Sequence, residues 1–190
     1  MVLNRSERTF GDRIKSNVTT IICNNNIHTL VYYYLSYKEK LPEDLKKSVI
    51  GDWDVSRVSN MSGLFEDEDT FNEPLNNWNV SNVTNMENMF YGASSFNQPL
   101  NNWNVSNVKT MEDMFAYASS FNQPLNNWNV SNVKTMEKMF RDALSFNQPL
   151  NNWDVSNVTY MTSIFRNAES FNQPLDNWNI SNRAIISNDK

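Results

Sequence analysis

Six tryptophans, Trp53, Trp78, Trp103, Trp128, Trp153 and Trp178, stand 25 residues apart without exception, and the chain has no others. Two phenylalanine columns keep the same beat: Phe65, Phe90, Phe115, Phe140, Phe165 and Phe71, Phe96, Phe121, Phe146, Phe171. Pro74, Pro99, Pro124, Pro149 and Pro174 form a fourth column. A register this strict means that each turn of the chain stacks on a copy of itself, so that equivalent side chains meet and bury one continuous core. An aromatic side chain burying about 150–250 Å² contributes roughly 4–6 kcal/mol as an upper figure. Turns with one Trp and two Phe apiece therefore fold without disulfide or metal.

Within one unit the hydrophobic period changes. Trp78 and Val80 alternate with Asn77, Asn79 and Ser81, which predicts a short half-buried strand. Val83, Met86, Met89, Phe90 and Ala93 follow at spacings of 3, 3, 1 and 3, which predicts one helical stripe, capped by Ser81 or Asn82. Ser94 to Pro99 returns the chain to the next strand. The expected fold class is thus α/β: a leucine-rich-repeat-like solenoid of strand–short helix turns, with a parallel sheet at about 4.8 Å spacing and an N-terminal helical cap.

Leu75-x-x-Trp78-x-Val80-x-x-Val83 resembles the leucine-rich-repeat frame, with Trp and Val in place of two leucines. The whole unit, Phe-Asn-Gln-Pro-Leu-Asn-Asn-Trp-Asn-Val-Ser-Asn-Val-x-x-Met-x-x-Met-Phe-x-x-Ala-x-x, is similar to the bacterial-surface-protein repeat, the BspA-type leucine-rich-repeat family. The resemblance covers about residues 51 to 182. It implies a leucine-rich-repeat-like solenoid and, in bacterial members, attachment or host-protein binding. Those members carry export signals that are not seen here, which points to an intracellular member such as one from a large DNA virus.

The ends depart from the unit. Residues 1–12 read as a flexible N-terminus, 13–50 as a cap, 51–182 as the repeat solenoid and 183–190 as a C-terminal tail. In the cap, Ser16 to Cys23 is expected to be a strand. Ile27, Leu30, Val31, Tyr34, Leu35 and Leu41 form a helical stripe, and Pro42-Glu43-Asp44 opens a second short helix with Leu45 and Val49 turned inward. Glu68 replaces the Ala of later turns, and Arg183 replaces the Val83-type residue, so the last helix is expected not to form. Ala184-Ile185-Ile186 is too little to cover the final rung, leaving an open edge for homo-oligomerisation.

Composition narrows the function classes. A net charge of −5 argues against neutralising nucleic-acid phosphates. One Cys and one His exclude a metal cluster or a disulfide framework, and no cofactor is expected. The N-terminus shows no apolar signal segment, and Leu30 to Leu35 is too short to span a bilayer. Sequons at Asn79, Asn82, Asn104, Asn129, Asn157 and Asn179 would crowd sugars onto neighbouring rungs. A cytoplasmic, membrane-free location is expected, in a host cell or virion if the source is viral.

Chemistry-bearing clusters are few. Cys23 and His28 lack an acid to orient a base, and the column Met61, Met86, Met111, Met136, Met161 lies among Phe and Val as core. Glu87, Glu112 and Glu137 share a column, but Lys109–Glu112 and Lys134–Glu137 (i,i+3) and Glu137–Arg141 (i,i+4) read as decoration of a solvated helix face. The acidic run Glu66, Asp67, Glu68, Asp69 lacks the ligand spacing and turn glycine of a calcium loop. Residues 1–50 carry 8 Lys/Arg against 5 Asp/Glu, whereas residues 51–190 carry 8 against 16. A basic cap on an acidic solenoid therefore holds by attraction.

Two faces contrast. The strand face, Asn77, Asn79, Ser81, Asn82 and their copies, repeats nearly unchanged. It either ladders amides along the stack or offers a lattice to a repetitive ligand. The helix face varies: Tyr91, Ala116, Arg141 and Arg166 share one position, and Gly92, Tyr117, Asp142 and Asn167 another. Tyr and Arg are the residue types that anchor protein partners. The expected function is a non-enzymatic scaffold for protein–protein interaction. Its candidate contacts are Glu66, Asp67, Glu68, Asp69, Tyr91, Tyr117, Arg141 and Arg166. The alternatives are a surface or glycan-binding module using the Asn array, and a self-assembling structural protein.

Overall fold

Residues 19–180 are described in a computed structural model. The α/β leucine-rich-repeat-like solenoid with its parallel sheet is not what the chain forms. Among the described residues the only strand-type pairing consists of four isolated parallel bridges, Asn60–Asn85, Asn85–Thr110, Thr110–Thr135 and Thr135–Tyr160. The two α-helices, α1 (Ile27–Ser36) and α2 (Glu43–Lys46), both precede the first coil. Everything from Trp53 onward is a succession of turns.

The hydrogen bonds show why. Along Met86 to Ala93 the backbone N–H groups alternate between two partners. Met89, Tyr91 and Ala93 donate to the carbonyl three residues back, at 3.3, 3.0 and 3.1 Å. Met86, Asn88, Phe90 and Gly92 instead donate across to Thr110, Glu112, Met114 and Ala116 of the next coil, at 3.1, 2.9, 2.9 and 2.9 Å. An α-helix would direct these groups four residues back within its own segment. Asn88 (φ 54°) and Gly92 (φ 68°) sit in the left-handed region. They occupy the third position of the turns 86–89 and 90–93, where a type II turn requires positive φ. Gly63 and Asp67, Asp113 and Tyr117, Lys138 and Asp142, and Ser163 and Asn167 repeat the pair. The predicted strand fails likewise: Val83 N–H turns back to the Val80 carbonyl at 2.9 Å, and Asn79 Oδ1 accepts from Ser81 N–H at 3.2 Å.

Stacking is sustained from the side chains too. Each inner Trp is buried, and its Nε1–H donates to a carbonyl of the preceding coil, from Trp78 to Ile50 (2.7 Å) through Trp178 to Leu150 (3.0 Å). The Phe rings stack nearly parallel, Phe90 on Phe115 at 5.5 Å and Phe96 on Phe121 at 5.9 Å. Inside one coil Phe90 and Phe96 lie 4.1 Å apart. The Met column is fully enclosed among them.

The first coil has no earlier coil to bond to, and the segment before it supplies substitutes. Asn24 Oδ1 accepts from the N–H groups of Ser59 (2.8 Å) and Asn60 (3.1 Å). It does there what the Ser59 carbonyl does for Thr84 and Asn85. His28 Nε2 donates to the Ser62 carbonyl at 2.8 Å, and Tyr34 Oη–H donates to Glu73 Oε2 at 2.7 Å. Ile27, Leu30, Val31 and Tyr34 of α1, with Leu41 and Leu45, are buried. Val49, expected inside, is 54% exposed, because the chain turns into the 3₁₀ turn Ile50–Asp52 there and it is Ile50 that points inward. Residues 19–23 of the expected first strand form none, and its residues 16–18 lie outside the described residues. So do the 1–12 segment, Arg183, and the final edge at Ala184-Ile185-Ile186.

Candidate functional site

The coils share a frame, so a site distinct from the frame must lie where the side chains change. That place is the tip of each coil at the centre of its second type II turn. Here residues 66, 91, 116, 141 and 166 form one column and 67, 92, 117, 142 and 167 the next. The backbone bonds of this tip are identical from coil to coil, while its side chains, Ala116 excepted, point away from the core. The fold therefore leaves the first of these columns free to vary, while positive φ constrains the second.

Three coils contribute to one cluster. Tyr91 and Tyr117 meet edge to face at 5.2 Å, and the Arg141 guanidinium lies 5.2 Å above the Tyr117 ring. Arg141 Nε is also paired with Asp142 Oδ2 at 3.1 Å, which fixes the plane it presents. Arg166, one coil further on, is exposed and is not part of this contact set. At the other end Glu66, Asp67 and Asp69 are exposed and Glu68 is half-buried. Asp67 takes φ 58°, and its side chain fills the space that a Cβ at residue 92 would need, so the second coil carries Gly92. The edge thus runs from acidic through aromatic to basic along the stack.

Beside it lies a carboxylate strip that sequence spacing reads only in part. Glu87, Glu112 and Glu137 do share a column, next to Asn88, Asp113 and Lys138. Burial first, then the charges of Glu137 and Glu87, hold the Glu112 carboxyl above its ordinary value. Burial also raises Asp113, against the pull of Lys138 and Arg141. The expected pairs Lys109–Glu112, Lys134–Glu137 and Glu137–Arg141 are not formed. With no helix to align those spacings, the ion pairs among described residues are Lys46–Glu43, Lys138–Glu137 (3.3 Å) and Arg141–Asp142. Asp113 and Lys138 were not singled out from sequence, although they vary in the same manner as the Tyr/Arg column.

The amide face divides into spent and unspent columns. Asn72, Asn97, Asn122 and Asn147 accept the N–H of the residue 25 positions on, each at 3.0 Å. Gln98, Gln123, Gln148 and Gln173 donate back to the same asparagines. Asn82, Asn107, Asn132 and Asn157 donate to Ser56, Ser81, Ser106 and Ser131 carbonyls at 2.7–2.9 Å. Asn82 is therefore a coil-to-coil tie, not a helix cap.

Trp53, Trp78, Trp103, Trp128, Trp153 and Trp178 are buried structural groups. Cys23 and His28 gain no third partner, since His28 is engaged with a main-chain carbonyl. Among the described residues no cluster of three or more His, Cys, Asp or Glu side chains is arranged to hold a metal ion, and no helix is long and apolar enough to cross a membrane.

No curated protein and no solved structure matches the chain. A family model described as "Mycoplasma protein of unknown function, DUF285" matches residues 36–142 and, overlapping them, 100–188. These matches take in every coil, so the chain belongs to the DUF285 family, a repeat family of the BspA type.

Proposed function

We propose that the chain is a non-enzymatic repeat scaffold that binds a protein partner along its variable edge. The observation that carries this reading is the Tyr91–Tyr117–Arg141 cluster, built from three coils whose backbones are the same and whose tips are not. An edge-to-face aromatic pair with a guanidinium held over one ring combines large contact area, little side-chain entropy to lose, and one oriented charge, the features of an interface anchor. The acidic run at one end of the edge and Arg166 at the other add charge of opposite sign. Encounter is then steered and salt-dependent.

Affinity capture with the parent chain and with an Arg141→Glu, Arg166→Glu double variant tests this. A protein retained by the parent at low salt, released as salt rises and lost by the variant supports the reading. Equal retention by both chains refutes it.

A further inference from the structure

One exposed column does not behave like its neighbours. Asn77, Asn102, Asn127, Asn152 and Asn177 are all exposed and identical in five coils. Their side chains make no intercoil hydrogen bond among the described residues: the main-chain N–H groups of Asn102 and Asn152 donate to Asn76 and Asn126 Oδ1 at 3.0 Å, and the Asn102 side chain meets only its neighbour, Asn101 Nδ2 to Asn102 Oδ1 at 3.4 Å. None has positive φ, so the turns Leu75–Trp78 and its copies do not require asparagine there. Copying from a common ancestor does not explain the identity either. The tips of the same coils, half-buried at Tyr91 and Arg141 and exposed at Arg166, have diverged. The first coil alone departs, with exposed Asp52 before Trp53; in the other five a position free to change has kept its amide, which the fold by itself does not demand.

Beside this column runs a second, Asn79, Asn104, Asn129 and Asp154, also exposed. In it the side-chain oxygen is used locally, by Ser81, Ser106, Ser131 and Ser156 N–H. The amide N–H groups of the asparagines stay outward. Between the fourth and fifth coils the two columns border a shallow recess of about 340 Å³, lined by Asn127, Asn129, Asn152 and Asp154 over the edge of Trp128.

We infer that these two columns form a binding strip for a linear, neutral polysaccharide lying along the stack. Amide N–H groups donate to hydroxyl and ring oxygens, Asn77-column side-chain carbonyls other than that of Asn102 accept from hydroxyls, and Asp154 accepts from a further hydroxyl. Neutrality follows from the lining, which holds one carboxylate and no cation, so an anionic polymer finds nothing to pair with. Trp128 is only 2% exposed and offers no ring for a sugar to stack on. Each coil therefore contributes little, and binding depends on a chain long enough to engage several coils at once. The strip lies apart from the variable edge, and the inference goes beyond the scaffold reading.

Native affinity electrophoresis tests it, with soluble glucan, galactomannan or glycol chitin in the gel, heparin as the anionic control and the free monosaccharides as the short control. The parent chain should be retarded by at least one neutral polymer, equally at low and high salt, and not by the monosaccharides. An Asn102→Ala, Asn127→Ala, Asn152→Ala variant should lose about a hundredfold in affinity, the product of three lost hydrogen bonds at roughly fivefold apiece. Asn127→Asp with Asn152→Asp, which keeps the shape and removes donors, should weaken binding as well. The Arg141→Glu, Arg166→Glu chain should bind the polymer as the parent does, so loss of protein capture and loss of polymer binding are separable. No retardation by any of the three polymers, retardation that the triple variant retains, or retardation by heparin alone that salt abolishes would each overturn the inference.

Discussion

Trp103→Ala removes the central ring of the stack, and the structure gives its cost in parts. Trp103 is 3% exposed, lies parallel to Trp128 at 6.3 Å and touches Phe90 at the same distance. Truncation loses that burial and leaves a cavity that rigid neighbours cannot close, about 3–5 kcal/mol for a core aromatic. It also deprives the buried Leu75 carbonyl of the Nε1–H it accepts at 2.9 Å, an orphaned group costing about 1–3 kcal/mol. The total therefore lies at or above the upper end, about 5 kcal/mol. In a stacked protein the loss also weakens the contacts of that coil with both neighbours. With a urea dependence of about 2 kcal/mol per molar, the midpoint falls by roughly 2.5 M. Far-UV circular dichroism follows the transition, because the substitution itself alters the fluorescence. Trp178→Ala, at an 8% exposed ring in the last coil of the described residues, should cost clearly less. A midpoint at Trp103→Ala that moves no further than at Trp178→Ala would refute a core held by coil-to-coil aromatic contact.

Three further outcomes are expected. Asn24→Ala removes the amide that substitutes for a missing coil, and should cost about 2 kcal/mol and speed hydrogen exchange at the Ser59 and Asn60 amides ahead of those in inner coils. Asp113→Asn should stabilise the chain at neutral pH. Burial raises the folded carboxyl above its unfolded value, so folding takes up a proton between the two and stability falls as pH rises through that window; the gain should vanish below the ordinary carboxylate range in paired melts. Tyr34, buried and donating to Glu73, is pushed up to about 12. Its neutral form supports the cap below about 10 and is lost as pH climbs toward 12, so alkaline absorbance should show a lagging tyrosine that Tyr34→Phe abolishes.

The 25-residue period and the inward columns were legible because packing acts on side chains, and identical coils force identical apolar positions. The backbone was not, and two particular stretches show why. Val83, Met86, Met89, Phe90 and Ala93 satisfy a helical stripe, yet successive four-residue turns bring the same side chains inward. The telltale was elsewhere, in Gly63, Asn88 and Asp113 and, four residues on, Asp67, Gly92, Asp142 and Asn167, residue types that tolerate positive φ. Trp78 and Val80 alternate as a strand does, but Asn79 and Ser81 between them close a side-chain turn that alternation alone does not reveal. The variable edge could be read as a place where side chains differ. That Tyr91, Tyr117 and Arg141 touch could not, because the contact depends on which residues the turns bring to the tip.

The ties between coils join residues 24 to 28 positions apart, for Met86 to Thr110, Thr84 to Ser59, Asn82 to Ser56 and Trp78 to Ile50 alike. Such an arrangement has no natural length. Removing or duplicating a whole coil hands every donor an acceptor of the same kind, so the molecule can be lengthened or shortened in heredity without redesign. The loss of a single residue inside a coil displaces that coil against both neighbours. The chain behaves as a ruler whose graduations are fixed and whose extent is free, and a surface feature that repeats once per coil becomes a distance scale read by whatever lies along it.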